Sequence, residues 1–600
     1  MKYFKAAVLF PAVLLLALSC AGGGRPRIEN SPAGFDRFLT HLAQEYIELK
    51  PYLAASTGNL DHLGIVTPPL KLPSFSDSER LRELRWVEKS RKALAGFTDE
   101  MLDPEQRIYR RIVDSWLADV LAGGEFLYHD YLINHFFGIQ VALPEFFDIV
   151  PVTSEAKARH YLALLAEVPA AFADWREACR VREKKNLVPP TIIIQQVMDQ
   201  MRSFVYTPLE ENLMYASFAE QLEAIASVSA EQKEAFRAEA QRLITERVQP
   251  AFKEAFAYLA DLKKSAKSIG VGLLELPDGE AYYQYLLKHY TTLDLSPAEV
   301  HEMGLAEMEK IEAEIVPLLI EAGREPDIPA ALKNIGGQVF SGQEAIFAEY
   351  GRIIAAMEAA LPSQFSILPQ KPLVLEQTPA FKEKVAGNFY YTASLDDSRP
   401  GRFIMNLSYG HPKYFMLHLA FHETVPGHHL QLARELENPA VPLILKLLLY
   451  EEKQFIGFIE GWALYAEFLA GELGFYDRPE YRLGYLAAML TRAARLVVDT
   501  GLHARGWSME DAERFYMEHF GYSRPRDIYR YMGIPGQGCA YVTGYLKIRR
   551  LREAEQQRLG TDFDIRAFHE SLLAHGALPL TLLGEAVAAG GAGPRAGGSP

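Results

Sequence analysis

Cysteine is scarce in this sequence, which contains only Cys20, Cys179 and Cys539 among 600 residues. The three are far apart, so a metal site built from clustered thiolates is excluded. Long apolar runs are also missing from the chain after its N-terminal segment. No later stretch approaches the roughly 18 apolar residues of a membrane-spanning helix. Basic residues are outnumbered, with 62 Lys and Arg against 77 Asp and Glu and a formal net charge of -15. An acidic chain repels phosphate backbones, so we expect no nucleic-acid partner.

The first 20 residues have the pattern of an export signal. Lys2 and Lys5 precede an apolar stretch over residues 6–18, which is too short to span a bilayer. Small residues then lead to Cys20, a pattern that resembles the signal of bacterial lipoproteins, in which this cysteine is lipidated. We therefore predict a lipoprotein signal peptide over residues 1–20 and a flexible tether over residues 21–33. The alternative is an ordinary cleaved signal peptide. Both predict an exported protein, and the lipoprotein signal predicts one that is anchored to a membrane of the cell envelope, on its periplasmic or outer-membrane face.

Most of the remaining chain, residues 34–588, has the periodicity of amphipathic helices with charged outer faces. The clearest cases are residues 76–95, 104–121, 230–264, 296–322 and 343–361. Ser296, Asp103 and Ser508 are candidate N-caps. The tail, residues 589–600, is rich in Gly, Ala and Pro, which predicts disorder. We therefore predict a mainly α-helical domain between a tethered N-terminus and a disordered tail.

Residues 372–407 break this helical pattern with short apolar runs separated by turn residues. They predict a small β-sheet directly before the apolar helix that carries the main motif. An edge strand at Phe403 to Asn406 would pair with the extended backbone of a peptide, and Arg399 or Arg402 would pair with a substrate carboxylate. The alternatives are a purely structural hairpin and ordinary surface arginines.

The main motif is His422-Glu423-Thr424-Val425-Pro426-Gly427-His428-His429. A His followed by Glu on an apolar helix is typical of zinc sites in which the Glu activates water. On a continuous helix, His429 would return to the face of His422. Pro426 and Gly427 interrupt a helix, however, and a local bulge would bring His428 to the second ligand position. We expect His428 as that ligand, with His429 as the alternative.

Glu460 is the candidate third ligand. It lies within an apolar and aromatic run, where a lone carboxylate is costly unless it binds a cation. Glu467 follows seven residues later on the same helical face and is expected to support the ligands from behind. The alternative is that Glu460 pairs with a buried Arg.

Two later segments carry candidate oxyanion donors. Asp499 and His503 are four residues apart on an apolar helix, where the Asp would orient the His toward a substrate oxygen. Gln537 and Tyr541 have the same spacing, and the Tyr hydroxyl is a second candidate donor. A buried core pair and a packed aromatic ring are the structural alternatives.

Together these motifs resemble a bacterial family called domain of unknown function 885, of the HExxPGHH type and similar to gluzincin metallopeptidases. The resemblance covers about residues 35–580 and rests on residues 422–429, 460–463, 399–401, 499–503 and 535–541. It implies a two-lobed helical fold with a central channel and a zinc-site region over residues 396–545. It also implies His422, His428 and Glu460 as ligands, Glu423 as base, and His503 and Tyr541 near the reacting carbonyl.

The predicted function is zinc-dependent hydrolysis of peptide bonds in short peptides by an exported lipoprotein, with Glu423 activating the water. Arg399 and Asn406 are the predicted substrate-binding residues. One alternative is a zinc- or peptide-binding lipoprotein without catalysis. Another is a zinc amidohydrolase that acts on a non-peptide or cell-wall amide.

Overall fold

The computed structural model describes residues 31–265, 270–378, 387–451 and 454–590. The predicted signal peptide with Cys20, nearly all of the tether and most of the C-terminal tail lie outside the described residues. Helices dominate the described part, as predicted. In chain order they are α1 (Pro32–Leu49), α2 (Ala54–Thr57), α3 (Asp77–Leu94), α4 (Pro104–Gly123), α5 (Ile139–Ile149), α6 (Glu155–Lys184), α7 (Thr191–Tyr206), α8 (Leu213–Glu223), α9 (Ala230–Leu243), α10 (Gln249–Ser265), α11 (Gly279–Thr291), α12 (Pro297–Glu321), α13 (Ile328–Lys333), α14 (Gln343–Ala360), α15 (Lys413–Glu423), α16 (His428–Glu437), α17 (Leu443–Leu448), α18 (Ile456–Glu472), α19 (Pro479–Ala504), α20 (Met509–Phe520), α21 (Pro525–Gly533), α22 (Ala540–Leu559), α23 (Ile565–Leu573) and α24 (Leu583–Gly590).

The helix starts follow from capping chemistry. Asp103, Ser296 and Ser508 each accept a hydrogen bond from the backbone N–H of the third residue of their helix and form a capping box. The segment predicted as one helix over residues 230–264 is α9 and α10, joined by a π-helical stretch at Ile244–Val248. The predicted helical segments are therefore confirmed.

The predicted small sheet is also present. It joins β2 (Leu373–Gln377), β3 (Phe389–Tyr391) and β4 (Gly401–Met405), while β1 (Val339–Phe340) pairs separately with β5 (His411–Pro412). In the order β2-β4-β3, β4 is parallel to β2 and antiparallel to β3. Because β4 is hydrogen-bonded on both sides, the prediction that this strand is an edge available to a substrate backbone is wrong.

The buried apolar side chains form two clusters, in agreement with a two-lobed helical fold. The smaller cluster is built almost entirely from α5 to α10. The larger one contains α1, α3, α4 and the helices from α11 onward, and it surrounds the motif residues. The predicted central channel stays a prediction. Among the described helices, none is both long enough and apolar enough to cross a membrane.

Candidate metal centre

The main motif is divided between two helices. His422 and Glu423 form the last turn of α15, and Thr424 leaves the helical conformation with φ -112° and ψ -114°. The Thr424 hydroxyl donates to the Ala420 carbonyl at 2.6 Å, which satisfies an acceptor at the helix end. The chain resumes helical geometry at His428, the first residue of α16. The expected local bulge is therefore replaced by a complete break of the helix.

The connection between the two helices depends on a close backbone approach at Gly427. A Cβ atom there would lie 1.9 Å from the His422 carbonyl oxygen, so only glycine fits. The Trp462 indole donates to the Pro426 carbonyl at 2.8 Å and holds the turn against α18. As a result, the His422 and His428 rings meet at a centroid distance of 4.9 Å, nearly perpendicular to one another.

The side chains of His422, His428 and Glu460 converge, with one donor atom from each lying within 4.8 Å of the others. Glu460 Oε2 lies 3.3 Å from His422 Nε2 and 3.6 Å from His428 Nε2. Tetrahedral zinc with bonds of about 2.0–2.1 Å separates its donors by roughly 3.4 Å, so these distances suit that ion. Glu460 Oε2 is buried and makes no hydrogen bond within the described residues. The donor set therefore fits a divalent cation.

Strong electrostatic coupling accompanies this convergence. Burial by itself raises the pKa of Glu460, but the two histidines hold that pKa well below its usual value. Burial likewise lowers the pKa of His422, yet the neighbouring Glu460 and Glu467 outweigh it and raise the pKa to about 9. A cation at this point would take over the stabilising role of the His422 proton.

Glu467 supports His422 from behind, as its spacing on α18 predicts. Its fully buried carboxylate accepts a hydrogen bond from His422 Nδ1 at 2.8 Å and one from Arg492 at 3.1 Å. Because Nδ1 keeps its proton toward Glu467, a cation would displace only the Nε2 proton, and the freed lone pair would face Glu460 and His428. Arg492 balances the Glu467 charge and was missed by the sequence reasoning. A charged residue within the apolar run of α19 was the available signal.

Glu423 follows His422 directly and is also buried. Burial raises the pKa of its carboxyl, while the nearby His422 and His428 lower it and the Glu460 charge raises it. Within the described residues, no interaction ties the Glu423 carboxylate to a hydrogen-bond donor. It is therefore a buried base candidate beside the donor set.

Tyr541 lies beside His422. Its ring is parallel to the His422 ring within 12°, at a centroid distance of 6.4 Å. Its hydroxyl accepts a hydrogen bond from Arg530 Nη2 at 3.0 Å. Close backbone packing of α18 on α22 sets this position, since a Cβ on Gly461 would lie 2.5 Å from the Gly544 backbone.

His429 points away from the three donors. Its Nδ1 lies 3.0 Å from the Tyr390 hydroxyl, which places its ring against β3. Burial lowers the pKa of His429 to about 4, so it is a neutral residue near neutral pH. The break between α15 and α16 thus brings His428, and not its neighbour, to His422.

His503 is not part of this convergence. Its Nδ1 accepts a hydrogen bond from the Leu273 backbone N–H at 3.2 Å, and its Nε2 donates to the Tyr531 carbonyl at 3.0 Å. Asp499 instead accepts from the Tyr283 hydroxyl at 2.6 Å and from the Gly536 N–H at 2.9 Å. The expected Asp499–His503 contact is therefore wrong, and His503 has no ring nitrogen left for a substrate oxygen.

The predicted substrate-binding residues make contacts within the protein, near the sheet. Arg399 donates to the Ala55 and Ser56 carbonyls at 3.3 and 2.7 Å. Arg402 pairs with Glu376 at 3.2 Å. Asn406 is fully buried and accepts hydrogen bonds from the backbone and hydroxyl of Ser408. These contacts correct the expectation that Arg399 and Asn406 face a substrate.

Solved structures of other bacterial proteins share the fold of this chain. The crystal structure titled "the putative lipoprotein from Colwellia psychrerythraea" is 26% identical and superposes with a TM-score of 0.84, over 92% of this chain and 98% of that one. A "putative lipoprotein of unknown function from Shewanella oneidensis" shares the fold at 19% identity and a TM-score of 0.66, over 92% and 99%. No curated protein matches the sequence. The family model for bacterial proteins of unknown function called DUF885 matches residues 51–587, and the chain therefore belongs to that family.

Proposed function

We propose that this protein is a zinc-dependent peptidase of the HExxPGHH type that hydrolyses short peptides. The observation that carries the proposal is the convergence of His422, His428 and Glu460 within 4.8 Å, beside the buried carboxylate of Glu423. Three protein ligands with one remaining position are the arrangement of catalytic zinc sites. A structural zinc site would be expected to have four protein ligands.

His422 and His428 would hold the metal through Nε2, and Glu460 through Oε2. When bound, zinc supplies a Lewis acid that polarises a carbonyl and lowers the pKa of a water. Glu467 keeps the Nδ1 proton of His422 in place and orients the ring. Of the three proposed ligands, His422 is thus the one whose orientation is set by a supporting carboxylate.

Glu423 is the proposed general base. Its burial and raised pKa suit a group that takes a proton from the attacking water and passes it to the leaving nitrogen. Charges of both signs act on this pKa, which the two histidines lower and Glu460 raises. Removing the carboxylate while keeping its shape should abolish turnover without removing the three metal ligands.

Tyr541 is the proposed oxyanion donor. Because its oxygen accepts a hydrogen bond from Arg530, its own hydroxyl proton is free to be donated elsewhere. A donor beside His422 would stabilise the negative charge that develops on the carbonyl oxygen. Replacing Tyr541 by Phe should lower kcat by about 10²- to 10³-fold with a smaller effect on KM.

We also propose that the protein is exported and anchored through a lipid on Cys20. The small residues before Cys20 and the similarity to a Colwellia psychrerythraea protein described as a putative lipoprotein support this proposal. Substrates would then be peptides that reach the cell envelope. The anchor is tested by following signal-peptide processing of the full chain with and without globomycin. Processing of the wild type should be sensitive to the inhibitor, and Cys20→Ala should lose this globomycin-sensitive processing.

The enzymatic proposal is tested with zinc-loaded protein lacking residues 1–20 and a defined mixture of short peptides, analysed by mass spectrometry. Glu423→Gln is the inactive variant, and Glu472→Gln is the matched control, because Glu472 is a half-exposed carboxylate that pairs with Arg552. Fragments from the wild type and the control alone are expected. Stoichiometric zinc without fragments would overturn the peptidase proposal and favour a binding lipoprotein or an amidohydrolase that acts on a non-peptide or cell-wall amide.

A further inference from the structure

Two nitrogens of an arginine beside Tyr541 have no hydrogen-bond partner among the residues that the structure describes. Arg495 lies on α19, and its guanidinium carbon is 4.6 Å from the centre of the Tyr541 ring. Its Nε and Nη1 atoms are buried and make no hydrogen bond within the described residues. A buried guanidinium is unfavourable unless an anion or acceptor satisfies its donors.

Neighbouring side chains leave this region positively charged. Arg530 donates to Tyr541 and Gln537 through one nitrogen, and its Nε is buried without a partner among the described residues. Asp527 lies nearby but is hydrogen-bonded to Arg524. Arg495 and Arg530 approach Tyr541 as two cations. The charge of Asp527 acts on both of them and on Arg524, so three cations share one carboxylate.

The position of Arg495 relative to the metal centre limits what it can bind. The centres of the Tyr541 and His422 rings are 6.4 Å apart, and the guanidinium carbon of Arg495 is 4.6 Å from the centre of the Tyr541 ring. The guanidinium is thus within about 11 Å of His422, which an extended peptide of roughly three residues spans at about 3.5 Å per residue. An anion on Arg495 would belong to the same peptide whose bond is cleaved.

We propose that Arg495, with Arg530, binds a substrate carboxylate, and that this carboxylate is the free C-terminus of the peptide. The inference rests on the proposed peptidase function and narrows it to an enzyme that removes a short C-terminal fragment of at most about three residues. Guanidinium groups suit this role because their planar donors match a carboxylate. Arg495 replaces Arg399, whose donors bind backbone carbonyls.

The test compares each peptide as a free acid and as a C-terminal amide, and adds an amide with Asp as its last residue. Arg495→Gln removes the charge, and Arg495→Lys keeps it without the planar fork. Arg482→Gln is the matched control, because Arg482 is on the same helix, half-exposed, and pairs with Glu314. Thermal unfolding of every variant shows whether it is folded.

We expect the wild type and Arg482→Gln to cleave the free acid with a kcat/KM roughly 10- to 100-fold above the amide, mainly through KM. Arg495→Gln should lower kcat/KM on the free acid and remove the preference for it. If Arg495 were merely structural, the substitution would lower kcat/KM on the acid and on the amide equally. Arg495→Lys should retain part of the preference. Cleavage of the Asp-terminated amide as fast as the free acid would instead assign the site to an acidic side chain and overturn the C-terminal assignment.

A binding measurement separates this inference from the peptidase proposal. Calorimetric titration with the same acid and amide uses zinc-loaded Glu423→Gln, the inactive variant, with Arg495 either intact or replaced by Gln, so that turnover contributes no heat. Tighter binding of the acid that is lost on Arg495→Gln supports the carboxylate site, even if the wild type cleaves no peptide. Equal binding of acid and amide by the folded protein with Arg495 intact overturns it, even if the wild type cleaves peptides.

Discussion

Glu467 is fully buried behind His422, and its replacement by Gln removes one negative charge without changing the volume of the side chain. The Gln oxygen would still accept the His422 Nδ1 proton. Arg492 would lose an ion-pair partner at 3.1 Å, and its own side chain is only 11% exposed. The variant therefore changes the charge behind the ligand while it leaves the ligand itself in place.

The expected effect on zinc is large enough to measure. Loss of a carboxylate that hydrogen-bonds a ligating His typically weakens metal affinity by about 10- to 100-fold, which is about 1.4 to 2.7 kcal/mol. At saturating zinc, the extra stability that zinc gives the folded protein should fall by the same amount. The apo protein should lose a further 1 to 3 kcal/mol or so, because Arg492 is left buried with a weaker partner.

Chelator competition measures the zinc affinity, and urea unfolding with and without zinc measures the stability. Glu472→Gln on the same helix is the control, because its carboxylate is 39% exposed and should change stability by less than about 0.5 kcal/mol. A folded Glu467→Gln protein with wild-type zinc affinity would refute the assignment of His422 as a ligand supported from behind.

Two further predictions follow from individual side chains. His428→Gln should abolish zinc binding in chelator competition, while His429→Gln should retain it, because His429 contacts Tyr390 and not Glu460; the reverse result would exchange the ligand assignment. Burial raises the pKa of Glu435 from 4.5 to about 8. The folded state then holds this proton while the unfolded state releases it, so wild-type stability should fall as pH rises from 4.5 to about 8, by up to about 5 kcal/mol. Glu435→Gln cannot ionise and should show a flatter urea-unfolding profile over that range, and equal slopes for the two proteins would contradict the burial argument.

Several features of the fold could be predicted because they depend on neighbours along the chain. Asp103 and Ser296 cap their helices through residues three positions later, and the sequence shows both partners. The sheet strands could be located from alternation and turn residues. Their order could not, since the place of β4 between β2 and β3 depends on pairing between distant segments.

The candidate site divides in the same way. That His422 and Glu423 share one helix, and that Glu460 and Glu467 share one face of another, was visible in the sequence from helical periodicity. The choice between His428 and His429 was not, because the geometry of the break at residues 424–427 depends on the Trp462 contact and on the close approach at Gly427. Periodicity has no meaning across such a break.

The role of a polar residue was the least predictable feature. His503 and Arg399 have residue types suited to catalysis and carboxylate binding, but each is engaged by backbone groups from segments hundreds of residues away. Arg495 carries no motif, yet packing leaves two of its buried nitrogens without partners in the described part of the chain. The helical class, the chemical types of the candidate metal donors and the local caps could be predicted, because they depend on nearby residues. Which donors converge, and which polar groups already have partners, depends on the folded chain, because hydrogen-bond satisfaction in the interior requires partners that folding brings together.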